Sequence, residues 1–361
     1  MQPEASRRGK KEMVRYVGID VGKAKCRVAV VNQKGDVEDE FFFENSNKGI
    51  SELEAMLKVE DRVVMESTGN LWLNIYDALD SRSIKVVLAN PMQTRASSRK
   101  KKTDKVDARK LALLLKAGLI SESYVPPGYL REMRALVRHR LSLVRLRTMQ
   151  KNKVHAILDK YGYRCERSDL YGKAGRAWLG RLKFNGLDRL LVENHVSLIE
   201  FVGVQVEGVD AAILQKASEE DDVRLLLSLT GVDVFTAVLI KSEIGTIERF
   251  DNYKKLVSWA GLAPSVHQSG EVEFHGGITR EGSGVLRWAI VEAAWIAVNH
   301  DVKLREFYER VCSRRGKQKA AVAVACKMLK IIWFMLTRRE VYGGAKERRY
   351  GEKLKKIGVK G

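Results

Sequence analysis

Four acidic residues in this 361-residue sequence have the type and spacing to do chemistry. Asp20 ends an apolar run in Gly18-Ile19-Asp20-Val21-Gly22-Lys23, and Glu66 ends another in Met65-Glu66-Ser67-Thr68-Gly69. Asp104 and Asp107 lie three apart in Thr103-Asp104-Lys105-Val106-Asp107-Ala108-Arg109, a spacing that puts both on one face of a helix. Three separate elements can therefore deliver four carboxylates to one spot. Such mutually repelling groups are costly to assemble unless a cation sits among them. Hard oxygen ligands suit Mg²⁺ or Mn²⁺. Two such ions ~3.5–4 Å apart clamp the attacking and leaving oxygens of an in-line phosphoryl displacement. Each acid alone has an ordinary explanation, a helix dipole for Asp104 and Asp107 or a turn cap for Asp20. The joint arrangement is what points to metal-assisted phosphoryl chemistry.

The elements that must position these acids read as a compact α/β unit. Residues 14–20, 25–32 and 37–44 are short strands at hairpin distances, with turns at 21–24 and 33–36, where Gly35 can take positive φ. Residues 46–57 have helical spacing, 62–66 form a buried-type strand, 71–79 a helix and 84–88 a further strand. A basic loop leads into a helix from Thr103 to Ala117, so the predicted order is β-β-β-α-β-α-β-α. Pro126 and Pro127 close the unit. Residues 130–161 form one long helical pattern, with Leu130, Met133, Val137, Leu141 and Val144 as its buried stripe. A coiled-coil partner is expected for that stripe. Residues 162–220 are mixed and mostly helical, without a motif. A mainly helical region follows, ending in a Gly- and Lys-rich tail expected to be disordered on its own. The resulting division is a basic extension (1–13), an α/β domain (14–125), a long helical segment (126–220), a carboxyl-terminal domain (221–340) and a basic tail (341–361).

Charge limits the partners. Lys and Arg number 65 against 45 Asp and Glu, a net +20, which is the electrostatic footprint of a nucleic-acid-binding protein. The most apolar stretch, 320–336, is broken by Lys327 and Lys330, so no membrane span is expected. The opening MQPEASRRGKKE lacks the apolar centre of a signal peptide. Four cysteines without a C-x-x-C pair argue against a disulfide scaffold and a structural zinc, and fit a soluble protein of a reducing compartment. Residues 95–110 carry eight cations, among them Arg99, Lys100, Lys101 and Lys102, beside the acid pair. A charge run is usually a solvated loop, but one next to a phosphodiester site can position the backbone. Arg134 and Arg138 on the long helix are either its solvated exterior or a nucleic-acid surface. Residues 225–245, with a tight turn at Thr230-Gly231-Val232, read as two helices joined by a hairpin. Such a helix-hairpin-helix offers backbone N–H groups to a phosphate, or serves packing alone.

The blocks YVGIDVGKAK, VVMESTGNLW and RKKKTDKVDARKLALLL, in that order, resemble the amino-terminal domain of DEDD-type insertion-sequence transposases, the bridge-RNA-guided recombinases. YKKLVSWA, GLAPSVHQSG and GGITREGSGVLRW, followed by an Ala-rich helix, resemble that family's second domain. The resemblance implies a ribonuclease-H-like, RuvC-like fold for residues 14–118, with Asp20, Glu66, Asp104 and Asp107 as the metal-binding tetrad. It also implies a nucleophilic serine in the second domain. Ser265, Ser269 and Ser283 are the candidates, and the role goes to Ser269 in His267-Gln268-Ser269-Gly270. A hydroxyl beside glycine leaves room for a phosphodiester, and His267 can help with protons. Ser283 is the runner-up, with a helix N-cap as its ordinary role. Arg280 and Arg287 are candidates to steady the phosphate.

Serine attack stores the phosphodiester bond as an ester that another strand can reopen. Acids and Ser269 would then form one composite site, within one chain or across two. The family further implies DNA (element ends and target) as substrate, a bridge RNA as guide, a homo-oligomer, dimer or tetramer, and a bacterial or archaeal cytoplasmic, nucleoid-associated setting. Three other readings compete. Gly-Ile-Asp-Val-Gly with a hairpin also opens actin-like ATPases and sugar kinases, but a second Gly-rich phosphate strand is missing. A RuvC-like nuclease or Holliday-junction resolvase would use the carboxylates without a covalent step. A non-catalytic nucleic-acid-binding protein would leave them structural.

Overall fold

A computed structural model of the chain describes residues 14–359, except Thr68, 91–103, Ser168 and 270–271, and gives only the backbone of 104–106, 266–269 and 272–275. The chain divides into two compact units, Met1–Val125 and Pro126–Gly361.

The first unit is built on β1 (Tyr16–Asp20), β2 (Lys25–Val31), β3 (Val37–Glu44), α1 (Asn47–Met56), β4 (Arg62–Glu66), α2 (Leu73–Ser81), β5 (Lys85–Ala89) and α3 (Asp104–Lys116). Its five strands lie in the order β3-β2-β1-β4-β5. The first three pair antiparallel, while β4 and β5 add parallel to β1. Gly35, at φ 105°, makes the β2–β3 turn, where the Asn32 side chain accepts from the backbone N–H groups of Lys34, Gly35 and Asp36. Strand alternation divides the two sheet faces. Val17, Ile19, Val63 and Met65 pack with Ile50 and Leu53 of α1 and with Ile75 and Leu79 of α2. On the opposite face Val64, Val87 and Ala89 pack with Leu111 of α3.

Gly18 is where α3 meets β1. A Cβ at residue 18 would stand 2.0 Å from the Ala108 carbonyl oxygen and 2.7 Å from the Ala112 nitrogen. The helix backbone therefore rests directly on the strand, with Ala108 and Ala112 fully buried. Gly18→Ala is expected to force α3 off the sheet and lower the stability of this unit by about 2 kcal/mol, at the cost typical of overpacking. The check is a urea titration followed by circular dichroism.

The second unit is mainly helical. α4 (Gly128–Lys160), α5 (Lys173–Arg181) and α6 (Gly186–Glu219) are followed by α7 (Asp221–Leu227), α8 (Val234–Ile244) and α9 (Tyr253–Trp259). Next come a two-stranded antiparallel ribbon, β6 (Pro264–Ser269) and β7 (Val272–Ile278), then α10 (Gly284–His300), α11 (Val302–Arg315), α12 (Lys317–Arg338) and α13 (Glu347–Lys356). α4 and α6 pair antiparallel: Lys160 bonds Asp188, Gln150 bonds His195 and Arg140 bonds Asp210. Two apolar clusters hold this pair. One joins Leu130, Met133, Val137 and Leu141 to Ile213, Ala217 and the helices that follow; the other joins Val154 and Leu158 to Val192, Ile199 and Leu179 of α5.

The carboxyl-terminal tail departs from the disorder expected of it. α13 packs on the core through buried Leu354 and Ile357, and the Tyr350 hydroxyl donates to the Arg224 carbonyl at 3.2 Å. Tyr350, Leu354 and Ile357 recur at helical spacing among the lysines and give the tail one apolar face. α12 is long and apolar enough to cross a membrane by composition, but half of that stretch is buried in the protein. Nine of its side chains, from Ala320 to Leu336, lie in the core. All four cysteines are free.

Candidate active site

Asp20 and Glu66 end two adjacent parallel strands whose last paired residues are Ile19 and Met65, so they occupy matching positions at one edge of the sheet. Strand alternation also puts them on one face. Gly18 meets α3, and Asp20 stands two residues on; Val64 packs with Leu111 of α3, and Glu66 stands two residues on. α3 covers this same face and runs antiparallel to β1. Its last residue, Lys116, donates to the Lys34 carbonyl at 3.1 Å, in the turn beside the amino end of β1. The first turn of α3 therefore lies toward the carboxyl edge, where Asp20 and Glu66 end their strands.

Asp107 stands four residues before Leu111, and the backbone of Asp104 four before Ala108, both on the sheet-facing stripe of α3. Three elements thus bring Asp20, Glu66 and Asp107 to one edge, with the backbone of Asp104 in the same helical turn. The side chain of Asp104 lies outside the described residues, and among those described no three His, Cys, Asp or Glu side chains stand close enough to hold an ion. The donor set itself, carboxylates from three elements, has the chemistry of a hard divalent cation site. Cys26 lies nearby, its thiol pushed up by burial and by the charge of Asp20. Arg109, one turn into α3, forms a two-nitrogen ion pair with Glu40 of β3, which fixes the helix across the sheet. Arg99, Lys100, Lys101 and Lys102 lie outside the described residues.

The three candidate serines fall in different settings. Ser265 donates to the Gly277 carbonyl at 3.0 Å across the ribbon. Ser283 caps α10, accepting from the Leu286 N–H at 3.1 Å, and donates to Glu243 Oε2 at 2.9 Å. Both hydroxyls are engaged in holding the fold. Ser269 ends β6, its backbone paired with Val272, rather than lying in an open loop. His267 is two residues earlier on the same strand, paired with Phe274.

Several cations read as nucleic-acid contacts are engaged inside the protein. Arg138 makes two bonds to Glu243, at 2.8 and 3.1 Å, and Arg134 donates to the carbonyls of Ser242 and Glu243. Glu243 is 1% exposed and gathers Arg134, Arg138 and Ser283, so both arginines seat α4 on α8. Sequence reasoning missed this hub. Its signal was an acid shortly after the apolar run Ala237–Ile240 and directly before Ile244, on a helix buried from Ala237 to Ile244, where an unpaired carboxylate would be very costly. Arg287 donates to the Ala260 carbonyl at 3.0 Å and braces the loop after α9. Arg280 is exposed. Gly231, at φ 89°, is required by packing, because a Cβ there would lie 2.3 Å from the Ala293 carbonyl oxygen of α10.

Residues 17–163 match the DEDD transposases of the IS110 type, and residues 223–309 match the transposase IS116/IS110/IS902 family. Among similar proteins, the y4qE transposase candidate of Sinorhizobium fredii is 31% identical over 78% of this chain and 71% of its own length. The transposase for insertion sequence element IS1111A of Coxiella burnetii is 26% identical over 93% of both chains. The transposase for insertion sequence element IS1328 of Yersinia enterocolitica is 25% identical over 71% of this chain and 78% of that one. Carboxylates at one sheet edge, an acid-bearing helix laid across it and both family domains in order together make this chain a DEDD-type transposase of the IS110 family.

Proposed function

We propose that this transposase cuts and rejoins DNA through a phosphoserine ester on Ser269, with Asp20, Glu66, Asp104 and Asp107 as ligands of a divalent cation, Mg²⁺ or Mn²⁺. The observation that carries the reading is the approach of Asp20, Glu66 and Asp107 to one sheet edge from β1, β4 and α3. A bound divalent ion would offset the repulsion among these acids, acidify a neighbouring hydroxyl and take up charge developing on the phosphate. The serine oxygen forms a bond to phosphorus while the phosphorus–oxygen bond to the departing strand breaks. The hydroxyl proton passes to a base, for which His267 is the candidate, and the departing oxygen takes up a proton. Attack by a hydroxyl of another strand reverses the step, re-forms a phosphodiester and frees Ser269. Number and kind of bonds are conserved, so rejoining needs no energy source.

Engagement of Ser265 and Ser283 in the fold supports Ser269 as the nucleophile. Arg280 is the exposed cation near it in sequence, suited to the phosphate. A bridge RNA supplies target choice by base pairing in this reading, and a dimer or tetramer holds the several strands. The run with Arg99, Lys100, Lys101 and Lys102 and the α7–α8 hairpin serve as phosphate contacts.

Trapping the protein–DNA adduct under denaturing conditions tests the proposal. Ser269→Ala is expected to abolish the adduct, whereas Ser283→Ala keeps it and melts at a lower temperature, with about 1 kcal/mol of capping energy lost. An adduct that survives Ser269→Ala overturns the assignment. Nicked DNA with no adduct in the unmodified protein instead identifies a nuclease or junction resolvase.

A further inference from the structure

α13 was expected to be a loose tail, yet it closes one side of a cleft of about 210 Å³ over the α7–α8 turn. Thr230, Gly231, His300, Lys346, Arg349 and Lys353 line it. Three of these are cations spaced three and four residues apart along one face of the α13 segment. Tyr350 and Leu354, on the adjoining face, hold the helix to the core. Lys353 is fixed in the cleft wall, its ammonium donating to the Leu227 carbonyl at 2.8 Å and the Leu229 carbonyl at 3.4 Å. Lys346 and Arg349 are exposed, and their side chains have no hydrogen-bond or ion-pair partner among the described residues. The carboxylate of Asp233 also lines the cleft, but it accepts from the Thr236 N–H at 2.8 Å, as the cap of α8. Three cations face this one carboxylate, so the cleft carries net positive charge.

We infer that this cleft, roofed by Lys346, Arg349 and Lys353 of the carboxyl-terminal helix, binds the sugar–phosphate backbone of a nucleic-acid strand. From the N-cap Lys346 to Lys353 the row covers eight residues, seven steps of 1.5 Å or about 10 Å along the helix axis. A duplex strand advances ~3.4 Å per phosphate, so this length faces about three phosphates. A single free phosphate is too short to reach all three cations of a row that long. Burial, and then the charges of Arg349 and Lys356, pull the Lys353 ammonium below its ordinary value, and only Asp233 opposes them. A polyanion relieves that crowding. The inference rests on the phosphate contact proposed for the α7–α8 hairpin and extends it to the carboxyl-terminal helix, but its readout is affinity and uses none of the carboxylates, so it can fail without the strand-exchange chemistry failing.

The test uses the full chain, fluorescence anisotropy and a salt titration with two probes, a duplex DNA of random sequence and a hairpin RNA. Lys346→Gln with Arg349→Gln is expected to weaken binding of at least one probe about tenfold at ~0.1 M salt. On the DNA probe the slope of log affinity against log salt should fall by about 2, roughly 0.9 for each lost phosphate contact. Arg348→Gln with Lys355→Gln removes the same charge from the far side of the same helix and should change affinity less than twofold. Loss on DNA alone, on RNA alone or on both supports the cleft and names its ligand. Unchanged binding of both probes overturns the inference. Equal losses from the two pairs also overturn it, by reducing the effect to net charge.

Discussion

Asp20→Asn is expected to lower strand exchange by at least about a thousandfold while leaving the fold and nucleic-acid affinity almost unchanged. The substitution keeps shape and removes one charge at the carboxyl end of β1. The strand itself is held by Val17 and Ile19, both fully buried, and by pairing to β2 and β4, none of which involves the carboxylate. A lost metal ligand removes several kcal/mol of transition-state stabilisation, and about 4 kcal/mol corresponds to a thousandfold. Backbone phosphates lose nothing by the change, since an acid near them repels. Three measurements on one preparation decide it: recombination between supercoiled donor and target in Mg²⁺ or Mn²⁺, anisotropy with labelled DNA, and a thermal melt. Full activity in the Asn variant would remove Asp20 from the chemistry, and a collapsed melt would make it structural.

Glu243→Ala is expected to destabilise the second unit by about 3 kcal/mol. Removing one partner of a buried pair typically costs ~3–5 kcal/mol, because the other charge is left stranded. The low end applies here, because the Arg138 side chain is half exposed and can return to water, while Arg134 keeps the Ser242 carbonyl. Replacing Glu243 and Arg138 together by leucine should recover part of the loss, as apolar replacements of buried pairs often do. Urea unfolding of the two variants and the wild type provides the comparison. An unchanged midpoint for Glu243→Ala would mean that the hub does not join α4 to α8. DNA affinity that falls on Arg138→Ala without any loss of stability would return that arginine to the nucleic-acid surface.

Much of the first unit was legible because its signals are local. The strand at 62–66 and the helix near 104–116 appear almost at the predicted residues, since short apolar runs between turn residues leave few alternatives. The acids could be placed at strand ends for the same reason. What the sequence left unread is tertiary. α6 was obscured because Leu187, Leu190, Leu191, Leu198 and Phe201 are exposed on a helix whose core stripe is Val192, Ile199, Val202 and Val206. Apolar residues on two faces blur a 3.6-residue period. Arg134 and Arg138 read as a solvated exterior or a nucleic-acid surface, not as buried partners, because Glu243 lies more than a hundred residues away. In the tail, many lysines outweighed three well-spaced apolar side chains.

The two separate apolar clusters along α4 and α6 have a consequence for how the protein comes apart. Val154, Leu158, Leu179 and Ile199 share no members with the cluster holding Leu130, Leu141 and Ile213. The end of the α4–α6 pair held by Val154 and Leu158 can fray and re-form as its own cooperative unit while the end held by Leu130 and Leu141 remains intact. Amide exchange at that end is expected to follow a local opening energy smaller than that of global unfolding, so a single melting temperature would not describe both ends of the pair.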